Sequence, residues 1–159
     1  MPFQYTSIQI GEIVRAAKVL RRPEALEEGK PLPFTSCGTK GKKLDLILDL
    51  ADGPLVDLRF HVHAGIFDNP ETFEAALILS HVRVRGVGWH ATGKKRLYGK
   101  QVIPRGWHQN VIDPNLPLDS ADFNRHLPLP NFNPADLTAF FIATARLWHI
   151  DLTFAEGLL

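Results

Sequence analysis

The chain has 159 residues, with 18 Lys and Arg against 17 Asp and Glu and a formal net charge of +1. Its length suits one domain, and its 45% hydrophobic and 22% charged residues argue against disorder. The near-neutral charge excludes a global attraction to nucleic acid or membrane, so any basic site must be a local patch.

The one cysteine, Cys37, excludes an internal disulfide and a cysteine-based zinc site, and it suits a reducing compartment. The first residues, MPFQYT, lack the basic and apolar regions of a secretory signal. No apolar run reaches the length of a membrane span. We therefore expect a cytoplasmic protein without a membrane partner.

The N-terminal region predicts one short helix. Residues 3–10 are typical of a short strand or an extended lead-in, whereas the pattern over 12–22 is helical. The helix is expected to end before Pro23, because the residue preceding a proline disfavours helix. The following proline- and glycine-rich stretch, 23–43, is predicted to be an irregular connection.

Alternating apolar and polar residues predict an antiparallel meander from residue 44 onward. The core-facing residues of the first two strands are Leu44, Leu46, Leu48 and Leu50, then Val56, Leu58, Phe60, Val62 and Ala64. We interpret residues 76–90 as one further strand. Its predicted core side holds Ile78, Ser80, Val82 and Val84, and its solvent side holds Leu77, Leu79, His81, Arg83 and Arg85.

Two more strands are predicted over 97–103 and 107–112. The tripeptide Gly-Trp-His occurs at 88–90 and again at 106–108. A hairpin would place the two copies side by side, although chance could also produce them.

The proline-rich segment 113–131 is predicted to be an irregular connection that leads into a C-terminal helix over 134–149. Asn133 is the predicted N-cap, Pro134 fits the first helical position, and Phe132 can contact Leu137 across the cap. Residues 150–154 are predicted to add an edge strand.

These elements predict a single α+β domain over 1–159, with an antiparallel sheet of about five strands and both helices on one face. The predicted core residues are Leu46, Leu48, Leu58, Phe60, Val62, Ile78, Val82, Val84, Phe140, Phe141 and Trp148.

The polar face of this sheet concentrates histidine and arginine, which suits binding and metal-independent cleavage of RNA. That reaction needs a base, an acid and fixed cations around one phosphate, and histidine and arginine supply these groups. The predicted catalytic residues are His61, His63 and His81. The predicted phosphate or base contacts are Arg59, Arg83, Arg85, Lys94, Lys95, Arg96, Trp89 and Trp107.

Two other interpretations stay open. The same surface could bind a protein partner without catalysis, as an inhibitor or antitoxin-like protein does. Alternatively, His61 and His63 could ligate a metal with His81 or Asp45 as a third ligand. Exposed strand histidines without any ligand role are the simpler explanation of that pair. We expect no metal and no cofactor, and either RNA or a protein as the partner.

The order of elements over 44–150, with LPLPNFNPADL leading into the closing helix, resembles small bacterial proteins of mobile-element and toxin–antitoxin neighbourhoods. In outline it is similar to the RelE-like toxins, which are compact sheets with helices that cleave RNA without metal. The resemblance implies an RNA-cleaving toxin, and no individual residue role is taken from it.

Overall fold

The structure, a computed structural model, describes residues 4–27, 29–67, 69–91, 94–95, 102–112, 116 and 124–152. Its two helices are α1 (Ser7–Arg15) and α2 (Leu137–Leu147), and single 3-10 turns cover Pro23–Ala25, Gly38–Lys40 and Pro70–Thr72. The strands are β1 (Lys18–Leu20), β2 (Thr35–Ser36), β3 (Lys42–Leu50), β4 (Leu58–Ala64), β5 (Glu74–Leu79), β6 (Val82–His90), β7 (Lys94–Lys95), β8 (Val102–Ile103), β9 (Gly106–Ile112), β10 (Asn124–Pro128) and β11 (Ile150–Asp151). Neither described helix is long and apolar enough to cross a membrane.

The described strands form one nine-stranded sheet and a separate β7–β8 pair. The order in the large sheet is β10-β9-β6-β5-β4-β3-β1-β11, and β2 also pairs with β3. Every pairing is antiparallel except that of β1 with β11. The α+β class is confirmed, but the predicted count of about five strands is wrong. The short strands β1, β2 and β10 lie where no alternating pattern predicted them.

One face of the sheet is the core face, and both helices pack on it. The predicted core residues are buried except Ile78 and Val82, which are partly exposed. Phe60 of β4 stacks on Phe141 of α2 and meets the edge of Trp148, at centroid distances of 5.5 and 5.8 Å. Aromatic side chains from α2 therefore fix the helix against the middle of the sheet.

The stretch 76–90 is not one strand. Ser80 and His81 have φ values of 46° and 69° and form a tight turn between β5 and β6. Positive φ at both central residues matches the twist of a two-residue hairpin, although neither residue is Asn or Gly. The turn reverses the predicted facing of β5, so Leu77 and Leu79 are fully buried and Ile78 lies on the opposite face.

A β-bulge in β6 moves Arg85 to the core side of the sheet. Leu77 pairs with Arg85 and Ile78 pairs with Arg83, which leaves Val84 as the extra residue. Two adjacent residues of a bulge share one side of the strand, so Val84 and Arg85 both face the core. Arg85 is half-buried there, and its Nη1 donates to the Val84 carbonyl at 2.7 Å.

Helix α1 begins and ends earlier than predicted. Thr6 accepts a hydrogen bond from the backbone of Gln9, and the Gln9 side chain accepts one from the backbone of Thr6. This capping box starts the helix within the segment predicted to be extended. The helix ends at Arg15, so the apolar residues that suggested a helix over 12–22 belong partly to β1.

Lys18 of β1 is fully buried and joins the ends of both helices. Its ammonium donates to the carbonyls of Val14 and Ala16 at the end of α1, at 2.7 and 2.8 Å. It also donates to the Trp148 carbonyl at the end of α2, at 2.7 Å. All three N–H donors are thus used on carbonyls that the helices leave without partners. Burial lowers the pKa of Lys18 to about 8, which keeps the side chain mainly protonated at neutral pH.

The C-terminal helix is confirmed with a later start. Asp136, not Asn133, is the N-cap of α2, and its carboxylate accepts from the Ala139 backbone at 2.8 Å. The expected edge strand is present as β11 in the described part of its range. The predicted strand over 97–103 falls mostly outside the described residues, and β10 interrupts the segment 113–131 that was expected to be irregular.

We expect Lys18→Met to lower the free energy of unfolding by about 3 kcal/mol, because three carbonyls lose their buried donor. Urea unfolding measures this change. Lys43→Met on the exposed side of β3 is the matched control and should change stability by less than about 0.5 kcal/mol. Equal effects of the two substitutions would contradict the bridging role of Lys18.

The double substitution Ser80→Asn and His81→Gly should raise the free energy of unfolding by about 1 kcal/mol. Asn and Gly adopt positive φ at lower cost than the residues present. Were residues 76–90 a continuous strand, the same change would destabilise the protein, so the sign of the change in a urea unfolding midpoint tests the hairpin.

Candidate functional site

The face of the sheet opposite the helices is called the outer face here, and no described helix covers it. The strand register places the following residues on it: Lys43, Asp45, Ile47 and Asp49; Arg59, His61 and His63; Glu74, Ala76 and Ile78; Arg83, Gly86, Gly88 and His90; His108 and Asn110; and His126. This face holds five of the seven histidines of the chain.

Asp45 and His61 form the closest polar pair on the outer face. They are direct neighbours across β3 and β4, and Asp45 Oδ1 lies 2.5 Å from His61 Nδ1. A carboxylate can only accept, so Nδ1 is the donor in this pair and Nε2 is the ring nitrogen left for another partner. His61 is partly exposed, so a ligand on this face can reach the ring.

His63 lies two residues along the same strand, about 6.7 Å from His61. The two imidazoles therefore share one face, as their spacing predicted. Their separation allows one ring to act on each side of a single phosphate group.

Arg59 and Arg83 lie on the outer face near this pair. Arg59 is two residues from His61 on β4. Ile78 of β5 pairs with Arg59 on one side and with Arg83 of β6 on the other, so the two arginines flank Ile78. Both arginines are exposed. Arg59 Nε is 3.8 Å from Asp57 Oδ1, a loose contact that leaves the guanidinium able to take another acceptor.

Four predicted site residues are not part of this cluster. His81 lies in the β5–β6 turn, 3.7 Å from Asp57, with its side chain 85% exposed. It is about four residues of strand from His61, or about 13 Å. The other three lie on the core side of the sheet: Arg85, Trp89 and Trp107.

Burial lowers the pKa of Arg85, and the nearby charge of Arg15 lowers it further. Trp107 stacks on Phe140 and meets the edge of Phe132, at centroid distances of 5.5 and 5.3 Å. The tryptophans were expected to stack on bases, but Trp107 packs against α2. Trp89 of β6 is the direct cross-strand neighbour of Trp107 of β9.

Lys94 and Lys95 belong to β7, where the structure describes the backbone alone, and Arg96 lies outside the described residues. The phosphate contacts predicted for these three residues stay a prediction. The outer face itself is mixed in charge, because Asp45, Asp49 and Glu74 offset its lysine and arginines.

A second group of histidines crosses β6, β9 and β10. The rings of His90 and His108 stack with their centroids 4.7 Å apart, and His108 and His126 lie 5.2 Å apart. This group was missed, although the repeated tripeptide was its signal. The two copies pair in antiparallel register, Gly88 with His108 and His90 with Gly106.

His108 is only 3% exposed because its neighbours cover it on both sides. Burial lowers the pKa of this imidazole, and the neighbouring His90 lowers it further. The Gly106 carbonyl, 3.4 Å from Nδ1, and the Glu74 carboxylate oppose that shift. His108 is therefore held as a neutral ring.

The metal interpretation finds no support in the geometry. Among the described residues no group of three or more His, Cys, Asp and Glu side chains converges on a common point suited to a metal ion. Asp45 and His61 point at each other, and His81 lies too far away to complete a set.

The lowered pKa of His108 predicts a loss of stability in acid. The unfolded chain binds a proton near pH 6.5, whereas the folded chain resists it. The free energy of unfolding should therefore fall as the pH drops from 7 through about 6.5 toward the lowered value. The substitution His108→Gln should remove this part of the pH dependence of the free energy of unfolding. The control substitution His81→Asn, at an exposed residue, should retain it. Urea unfolding at pH 7 and pH 5 compares the three proteins, and identical slopes would contradict the buried neutral ring.

No protein-family model matches the chain, and no curated protein or solved structure is significantly similar to it. Function must therefore be argued from the chemistry of the outer face.

Proposed function

We propose that the protein binds RNA on its outer face and cleaves it without a metal ion, with His61 as the general base. The Asp45–His61 pair carries this proposal. A carboxylate that fixes the tautomer and orientation of an imidazole is a recurrent way to prepare a base. Arg59 and His63 on the same face of the same strand supply the other required groups.

The reaction proceeds by proton transfer at a single phosphodiester. Nε2 of His61 takes the proton of the 2′-hydroxyl, and the 2′-oxygen attacks the adjacent phosphorus. The bond from phosphorus to the 5′-oxygen breaks, and protonated His63 gives its proton to that oxygen. The products are a 2′,3′-cyclic phosphate and a 5′-hydroxyl end, so neither water nor a metal ion is consumed in this step.

Arg59 and Arg83 stabilise the charge that develops on the phosphorane. Guanidinium groups bind phosphate oxygens through paired N–H donors, and fixed cations lower the barrier most where negative charge grows. The arginines lie on either side of Ile78, which places an apolar residue between them. This local cationic pair suits a protein of net charge +1.

Binding is tested by fluorescence anisotropy with a single-stranded RNA in chelator. The double substitution Arg59→Ala and Arg83→Ala should weaken binding at least tenfold, because two phosphate contacts are lost. It should also reduce the slope of log affinity against log salt by about 1.4. The matched control replaces Arg22 and Arg146, two exposed arginines away from the outer face. Absence of binding by the wild type at low salt would end the RNA proposal.

Cleavage is followed on the same RNA by the appearance of cyclic-phosphate ends. His61→Ala and His63→Ala should each slow it by about 10²- to 10⁴-fold, and Asp45→Asn should slow it less. The rate should fall on both sides of a pH optimum, since the general base must be neutral and the general acid protonated. His81→Asn should cleave as the wild type does, because His81 is remote from the pair. Binding without cleavage would leave an RNA-binding protein and remove the catalytic role of His61.

A protein-binding role is the second candidate, favoured by exposed apolar side chains. Phe67 and Ile66 in the β4–β5 connection are 91% and 55% exposed. At the other end of the sheet, an apolar cleft of about 270 Å³ separates α1 from the β3–β4 connection. Binding of a defined partner that survives replacement of His61 and His63 by alanine would favour this role over the RNA proposal.

A further inference from the structure

A groove of about 90 Å³ crosses the outer face between the two histidine groups. Gly86 and Gly88 of β6 form its floor. Glu74 of β5 lies on one side of the floor, and His108 and Asn110 of β9 lie on the other. Pockets that enclose a whole drug-sized ligand measure about 300–1,000 Å³, so this groove suits one flat group that lies across it and stays partly in solvent.

The two glycines keep the floor clear, and the fold does not require them. A Cβ at Gly86 would meet its nearest neighbour, the Ala75 carbonyl oxygen, at 3.5 Å, and one at Gly88 would meet His108 at 3.8 Å. Both are ordinary contacts, and neither residue has a positive φ. Glycine inside a strand costs about 0.5–1 kcal/mol relative to alanine and often marks a site that another group approaches closely.

The walls of the groove offer hydrogen-bond acceptors. Asn110 Oδ1 is buried and has no hydrogen-bond partner among the described residues. His108 donates through Nδ1 to Gly106, so Nε2 of the neutral ring is an acceptor, and a Cβ at Gly88 would lie 3.9 Å from it. The Glu74 carboxylate adds two more acceptor oxygens on the opposite wall.

One cation completes the lining. Arg83, at the end of the groove nearest Arg59, is a donor only. The charges of Glu74 and Arg83 offset each other in the lining, so the groove has no net preference for a charged ligand. The groove therefore suits an uncharged planar group with adjacent N–H donors on one edge and an acceptor beside them.

We propose that this groove binds a guanine base. Guanine presents adjacent N1–H and N2–H donors on its Watson–Crick edge, which match the two oxygens of Glu74, and its O6 is an acceptor for Arg83. The base covers the glycine floor, and the Asn110 amide Nδ2, which would lie 3.6 Å from a Cβ at Gly86, can donate to an acceptor on its remaining edge. Adenine and cytosine present a ring acceptor beside their amino group, and uracil flanks its one donor with carbonyls, so each leaves an acceptor facing the carboxylate.

This inference rests on the proposed function and adds the base preference to it. Glu74 lies directly across β4 and β5 from His63, so a nucleotide whose base occupies the groove has its phosphate beside the Asp45–His61 pair. Cleavage is accordingly expected next to guanosine.

The test compares GMP, AMP, CMP and UMP by NMR titration in chelator, together with RNA hexamers of sequence UUGUUU and UUAUUU by anisotropy. GMP and the guanosine hexamer should bind at least tenfold more tightly than their adenosine counterparts. Glu74→Gln replaces one acceptor by a donor and should abolish the preference while leaving adenosine binding unchanged. Gly88→Val places a side chain on the floor and should remove binding of all four mononucleotides.

Ile47→Thr on the same face, outside the groove, is the control and should behave as the wild type. Thermal unfolding establishes that Gly88→Val is folded, and Glu74→Gln tests the inference independently of that variant. Equal affinity for all bases, or a guanine preference that survives both substitutions, would overturn it. Binding of arginine amide at the groove in place of GMP would also overturn it and would indicate a protein ligand.

The two proposals fail separately. RNA binding that depends on Arg59 and Arg83 but shows no guanine preference would remove the base site alone. GMP binding in the groove by a protein that does not bind RNA would remove the RNA proposal and leave a mononucleotide site.

Discussion

The hydrogen bonds of the Lys18 ammonium hold the fold together. This side chain is fully buried and donates to carbonyls at the ends of both helices, while its strand pairs with β3 on one side and β11 on the other. A buried cation is tolerated only when acceptors replace its water, and the negative ends of two helix dipoles are well placed to do so. The sheet edge, α1 and α2 thus meet at one charged group. That group fixes both helices on the core face, and no described helix covers the opposite face of the sheet.

The chemistry of the outer face depends on two local irregularities in the backbone. The turn at Ser80 and His81 folds a stretch that alternates like a single strand into a hairpin, which buries Leu77 and Leu79. The bulge that follows separates two arginines only two positions apart, leaving Arg83 exposed and turning Arg85 inward. One cation is therefore available for a ligand where the uninterrupted pattern indicated two.

The two histidine groups of the outer face differ in environment, and that difference assigns them different roles. His61 is partly exposed and held by a carboxylate, an arrangement suited to proton transfer. His108 is buried between two other rings, where burial lowers its pKa, so it is suited to recognition as a neutral acceptor. Glu74 and the two glycines lie between these groups, so base recognition and phosphate chemistry occupy adjacent parts of one surface.

The sequence by itself determined the α+β class, the facing of β3 and β4 and the shared face of His61 and His63, because period-two alternation is a local property. The same pattern could not reveal the hairpin at Ser80, since neither turn residue is a typical turn former, nor the bulge that turns Arg85 inward. The buried position of Lys18 could not be predicted either, because only tertiary structure supplies its three carbonyl acceptors. The stack of His90, His108 and His126 likewise depends on pairing between strands far apart in the chain, which local periodicity does not encode.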